Sequence, residues 1–156
     1  MKNKKSKLRK ANLRDAKNIQ KLIMVFANRE LMLPRSLNQI YENIRDFWIV
    51  EVEDNLVACG ALHPVWGDMA EIKSLAVNED FHKRGYGKII VEACISECET
   101  LGVDKVFALT FVPEFFEKMS FVREDKNKMP HKIWTECINC PHFPDCNEIL
   151  VVKDLK

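Results

Sequence analysis

The sequence predicts a mixed α/β (α+β) domain, and three observations carry that expectation. β-rich runs alternate with apolar residues at helical spacing, in the order β-α-α-β-β-β-α-β-α-β followed by a late strand. No internal repeat, low-complexity linker or composition break divides the 156 residues, so 1–156 reads as a single domain with room for a real core. Third, Ala70-Glu71-Ile72-Lys73-Ser74-Leu75-Ala76-Val77 reads as a strand that passes through a basic glycine loop, His82-Lys83-Arg84-Gly85-Tyr86-Gly87, into an apolar helix.

Residues 1–7 carry Lys2, Lys4, Lys5 and Lys7 and are expected as a flexible basic tail, a solvated terminus or else a contact for acidic surfaces. A first strand is expected over 8–12. Over 14–28, Ala16, Ile19, Leu22, Ile23 and Phe26 line one face of a helix. Ser36 is a natural N-cap for a second helix over 37–45. The runs 47–53 and 56–63 flank Asp54-Asn55, a hairpin signal, and Gly67-Asp68 marks the turn before a strand over 69–77. A helix over 87–101 stops at Gly102. A buried strand over 105–110 follows, then a short helix over 114–119 opened by Pro113. A strand resumes after Phe121, the segment 131–140 is ambiguous, and 148–153 reads as a final strand.

With 47% hydrophobic and 30% charged residues the composition is that of an ordinary soluble protein. A net charge of +1 gives no reason to expect nucleic acid, and no apolar run is long enough for a membrane span. The N-terminus lacks an apolar signal segment, so a reducing cytoplasm is the expected compartment. Cys59, Cys94 and Cys98 fall in apolar patterns and read as small buried hydrophobes. Cys137, Cys140 and Cys146 cluster with His142 in a cysteine-rich insertion, 131–147, before the last strand. That spacing allows a zinc site with His131 or His142, a redox pair, or plain packing; zinc is not favoured, since paired half-sites are missing.

The glycine loop offers a cradle for an anion. Gly85 and Gly87 let backbone approach a pyrophosphate, the helix start presents N–H groups, and Lys83, Arg84 and Lys88 add charge. The common nucleotide loops do not fit: no Lys-Ser/Thr follows at P-loop distance and there is no GxGxxG. Upstream on the strand lies a carboxylate, Glu71. At a period of two, Glu71, Lys73 and Leu75 are expected on one face. Lys73 would draw the Glu71 carboxyl down and burial would push it up. Glu71 is thus either a base or a salt-bridged strand residue.

The loop resembles the acetyl-CoA signature of the GNAT N-acetyltransferase superfamily, Gln/Arg-x-x-Gly-x-Gly/Ala, with Gly85 and Gly87 matching and His82 where Gln or Arg is usual. The element order is similar too. The resemblance implies a central mixed, mostly antiparallel sheet with splayed fourth and fifth strands flanked by helices. It implies acetyl-CoA as cosubstrate, held by backbone groups of Leu75, Ala76 and Val77 and by the loop His82, Lys83, Arg84, Gly85, Tyr86, Gly87 and Lys88. It also implies Glu71 as the general base, because only a neutral amine attacks a thioester. The segment Phe115-Phe116-Glu117-Lys118-Met119-Ser120-Phe121 resembles the family's Phe-Tyr-x-Lys-x-Gly-Phe, with Phe116 where a tyrosine acid is usual. Phe116 then reads as a core and CoA-packing residue. Tyr86, Tyr41 or water would supply the proton, or CoA leaves as a thiolate.

Three further runs, 31–36, 61–66 and 130–137, resemble the short bacterial amino-acid N-acetyltransferases of the N-acetylglutamate synthase type. This implies L-glutamate as acceptor, in the first step of arginine biosynthesis. Glutamate brings two carboxylates, so cations should line its pocket. Arg35, with its planar fork, and Lys73, on the face of Glu71, are the candidates; Arg35 reads equally as a surface residue at a helix start. The rivals are an enzyme for another small amine or a protein amine, and a sensor that binds acetyl-CoA without turnover. The partners expected are the amino acid and acetyl-CoA, with no nucleic acid or membrane, and a homodimer is left open.

Overall fold

Apolar residues at period two, broken by turn residues, build the sheet, and the two long amphipathic runs build the main helices. In the computed structural model, which describes residues 5–126 and 148–156, the elements run β1 (Ser6–Lys10), α1 (Ala16–Ala27), α2 (Leu37–Glu42), β2 (Phe47–Val52), β3 (Asn55–Pro64), β4 (Met69–Val77), α3 (Tyr86–Leu101), β5 (Lys105–Thr110), α4 (Pro113–Glu117), β6 (Val122–Glu124) and β7 (Ile149–Asp154). Among these residues the strands form one seven-stranded sheet in the order β1-β2-β3-β4-β5-β7-β6. β4 and β5 run parallel, whereas β1–β2, β2–β3, β5–β7 and β6–β7 are antiparallel, so the sheet is mixed as expected.

Three of the boundaries that depart from expectation have a clear local reason. β1 starts at Ser6, inside the stretch expected as tail, and ends before Asn12, whose side chain caps a 3-10 turn by accepting from Arg14 N at 3.0 Å. The second helix ends at Glu42, because Asn43 leaves helical geometry and its Nδ2 donates to the Gln39 carbonyl at 2.8 Å; a separate 3-10 turn, Ile44–Asp46, follows. The β2–β3 hairpin turns at Glu53-Asp54, not Asp54-Asn55: both have left-handed φ (51° and 65°), while Asn55 pairs with Val52. Two left-handed central residues are the two-residue turn that matches strand twist.

The chain gathers into two compact units, residues up to 62 with 74–97, and residues 63–73 with 98 onward. In the first, Ala16, Ile19, Leu22 and Ile23 of α1 pack with Ile40 of α2, Phe47 and Ile49 of β2, Cys59 and Ala61 of β3, and Ala76 of β4. This is the apolar stripe read from the sequence. A Cβ added at Gly60 of β3 would lie 2.5 Å from Ile90 Cγ2 and 3.1 Å from Leu75 Cδ1, so α3 sits on β3 at a distance only glycine permits. In the second unit, Phe107 of β5 and Leu150 of β7 are the buried centre, joined by Val65, Met69, Leu109 and Val152. Gly102, at φ 78°, ends α3 as expected, and the Val103 N–H turns back to the Cys98 carbonyl at 2.9 Å.

Candidate active site

The parallel ladder between β4 and β5 has three rungs, Met69 with Lys105, Ala70 with Val106 and Glu71 with Phe107. It stops at Glu71, although β4 continues to Val77. This is the splay of the fourth and fifth strands. Glu71 therefore occupies the last rung, and it is one of three polar or charged residues buried among those described, at 7% exposure. Lys73, two residues on, is half-buried.

Beyond Lys73 the simple alternation fails. Ser74 has φ 55°, a left-handed residue inside a strand, and such a residue re-aims the side chains that follow it. The left-handed Ser74 separates Glu71 and Lys73 from Leu75, so a period of two does not carry across it to Leu75. The Ser74 carbonyl accepts a hydrogen bond from the Cys59 thiol at 3.5 Å, a contact no sequence spacing announces.

At the end of β4 the Asn78 N–H donates to the Val57 carbonyl at 2.8 Å, and its Oδ1 accepts from Asp80 N at 2.9 Å, opening a 3-10 turn over Glu79–Phe81. The loop then takes two left-handed residues, Lys83 (φ 64°) and Gly85 (φ 83°). A Cβ at Gly85 would meet nothing within 4 Å, so the requirement for glycine there is conformational. The Gly85 carbonyl accepts from Ile89 N at 3.0 Å and begins α3, 16 residues long. The first N–H groups of that helix have no partner within it and carry its positive end. Lys83, Arg84 and Lys88 are exposed around them, with the Arg84 guanidinium 5.1 Å from the Phe81 ring centre. This donor set fits a pyrophosphate. The exposed His82 ring turns back along the chain, with Nε2 2.8 Å from the Val77 oxygen.

The aromatic candidates divide. Tyr86 is buried, its ring 6.4 Å from that of Phe81, and Tyr41 is exposed on α2. Phe116 is 4% exposed and meets Phe115 and Phe121 edge-on at 5.0 and 5.2 Å, the core role read for it. Arg35 is half-buried immediately before the Ser36 cap of α2, and its carbonyl accepts from Gln20 Nε2 at 3.2 Å. A pair that sequence reading missed lies in the same unit: Arg29, just after α1, grips Glu79 with two bonds of 2.7 and 3.0 Å. Fifty residues separate them, beyond any local pattern.

Burial pushes the Cys59 thiol up to about 12, so it is protonated and inert near neutral pH. Cys94 and Cys98 are buried, as their apolar context suggested. Cys137, Cys140, Cys146 and His142 lie outside the described residues. Among those described, no cluster of three or more His, Cys, Asp or Glu could hold a metal ion, and no helix is long and apolar enough to cross a membrane.

Residues 13–121 match the Acetyltransferase (GNAT) family. An N-acetyltransferase of Chlorobaculum tepidum is 38% identical over 148 residues, covering 95% of this chain and 96% of that protein. An amino-acid acetyltransferase of Mycobacterium tuberculosis is 31% identical over 132 residues, covering 83% and 75% respectively. Among solved structures, a Mycobacterium tuberculosis protein in complex with CoA superposes with a TM-score of 0.83 at 28% identity, covering 96% of this chain and 99% of its own. The N-acetylglutamate synthase from Neisseria gonorrhoeae, complexed with coenzyme A and N-acetyl-glutamate, gives 0.86 at 25% identity, covering 99% of this chain but 36% of that longer one. Together with the splayed sheet and the glycine loop, these matches show that the chain belongs to the GNAT family of acetyltransferases, with acetyl-CoA as its cosubstrate.

Proposed function

We propose that this acetyltransferase carries the acetyl group of acetyl-CoA to the α-amine of an amino acid, with L-glutamate as acceptor, in the cytoplasm and at the start of arginine biosynthesis. The similarity to an amino-acid acetyltransferase over three quarters of that protein's length supports the acceptor class. The chemistry rests on one observation, the buried Glu71 carboxylate at the last rung of the β4–β5 ladder.

Acetyl-CoA supplies the activated acyl group. The loop 82–88 holds its pyrophosphate, and amides of Leu75, Ala76 and Val77 align the thioester and receive the developing oxyanion charge. Glu71 takes the ammonium proton, directly or through water, so that the neutral amine attacks. Arg35 and Lys73 grip the acceptor's carboxylates, Arg35 with its two-pronged fork. Phe116 has no proton to give. A thiol with a pKa of about 8.5 can depart as a thiolate, so the reaction proceeds without a tyrosine at that position. The acyl group passes straight to the amine, and Cys59, held as a thiol, offers no thiolate to intercept it.

Release of free CoA thiol with acetyl-CoA and glutamate tests this. Glu71→Gln should lower kcat by about 10²-fold or more while leaving the affinity for CoA within about twofold. Unchanged kcat in Glu71→Gln would remove Glu71 as the base.

A further inference from the structure

β3 and β4 are neighbours in the sheet, and across the turn that joins them the Val65 N–H donates to the Met69 carbonyl at 3.0 Å. Counting back from that bond in antiparallel register sets Pro64 against Ala70 and His63 against Glu71. The backbone bonds along β3 agree with the count. The Phe47 carbonyl accepts from the Ala11 N–H, so Phe47 turns its backbone groups toward β1, and its partner Ala61 turns its own toward β4. His63, two residues on, does the same. Pro64, with no N–H to give, faces the other edge, where β2 begins only at Phe47, opposite Ala61. The left-handed Ser74, where the register shifts, lies beyond Glu71.

Directly opposed residues of an antiparallel pair point to the same face, with Cα atoms about 5.5 Å apart. His63 is therefore the cross-strand neighbour of Glu71, within one compact unit. We propose that His63 is a positioning residue for proton removal, standing beside the Glu71 carboxylate and carrying away the proton that Glu71 takes from the acceptor. The proposal rests on the reading of Glu71 as the base. At 7% exposure Glu71 has little contact with water, yet it must lose its proton before the next turnover. His63 is half-buried, so it has access to solvent that Glu71 lacks. Imidazole is the side chain that takes up and releases protons near neutral pH. The steps balance. An ammonium N–H bond breaks as an O–H bond forms on Glu71. That O–H then breaks as an N–H forms on the neutral imidazole, which restores the carboxylate. The imidazolium passes a proton to water, and His63 is neutral again.

Three variants of the full chain decide the matter, each measured for kcat with acetyl-CoA and glutamate and for CoA affinity by calorimetry. His63→Ala should lower kcat about tenfold or more with the CoA Kd within about twofold, and added imidazole should restore turnover in proportion to its concentration. His63→Gln should lose as much kcat, because its amide can hydrogen-bond but carries no proton away. Glu71→Gln should be impaired and gain nothing from imidazole. Unchanged kcat in His63→Ala, with Glu71→Gln impaired, would overturn the role of His63 and leave the base standing. Unchanged kcat in both would overturn the base and the proposal together. An impaired His63→Ala that ignores imidazole, or a His63→Gln that keeps its kcat, would also overturn the proposal, because His63 would then be a structural neighbour. If His63→Ala loses CoA affinity through misfolding, the kcat of His63→Gln decides alone.

Discussion

The Arg9 guanidinium of β1 clasps the Asp15 carboxylate through two hydrogen bonds of 2.8 Å each, and its Nε donates to Glu51 of β2 at 2.9 Å. Burial raises the Asp15 carboxyl, but the hydrogen bonds from Arg9 and the Asn12 N–H, with the nearby positive charges, outweigh it and leave it below its ordinary value. Glu51 is held down by the same arginine. A carboxyl depressed in the folded state stabilises the fold fully above its unfolded value, near ~4, and that stability is lost as pH falls through the folded value. Denaturant unfolding should therefore show constant stability from about pH 6 to 8 and a decline below about pH 4. Arg9→Met should cost about 2 kcal/mol at pH 7, and the gap to the natural protein should narrow as pH falls through the depressed folded-state value of Asp15.

Gly60 should tolerate no side chain. Its Cβ would fall 2.5 Å from Ile90 Cγ2, a branch fixed on α3 that cannot swing away like the tip of a long chain. Gly60→Ala should destabilise the fold by about 1–3 kcal/mol in chemical unfolding. A change within about 0.5 kcal/mol would mean that α3 shifts freely on β3.

Cys59 should take no part in turnover. With its thiol near 12, about one molecule in 10⁵ is a thiolate at pH 7. Incubation with acetyl-CoA in the absence of acceptor should leave the Cys59 peptide unacetylated by mass spectrometry. Cys59→Ala should keep kcat within about twofold, with a stability loss of about 1 kcal/mol. An acetylated Cys59 that decays at the turnover rate would replace direct attack with a two-step route.

Much of this fold was legible in local chemistry. The α1 stripe, the Ser36 cap, the Gly102 stop and the strand–loop–helix unit all depend on neighbours within a few residues, and each formed where spacing and cap residues put it. The strand over 69–77 that carries Glu71 and Lys73 was legible from its β-rich run. Ser74 was missed because serine carries no left-handed signal, and the contact that accompanies its turn comes from Cys59, fifteen residues away. The Arg29–Glu79 grip and the Arg9 clasp on Glu51 escaped for the same reason: chain topology, not spacing, brings those charges together. His82 was visible as a departure from the usual Gln or Arg, but its hydrogen bond required the geometry of the loop.

Product identity tests the central claim most directly. The enzyme is incubated with acetyl-CoA and an equimolar mixture of the twenty common amino acids, and the acetylated products are identified by mass spectrometry against a control lacking enzyme. The account predicts N-acetylglutamate as the dominant product, formed in step with CoA thiol release and abolished by Glu71→Gln. CoA release with no acetylated amino acid, or a dominant product on an acceptor without a side-chain carboxylate, would contradict it.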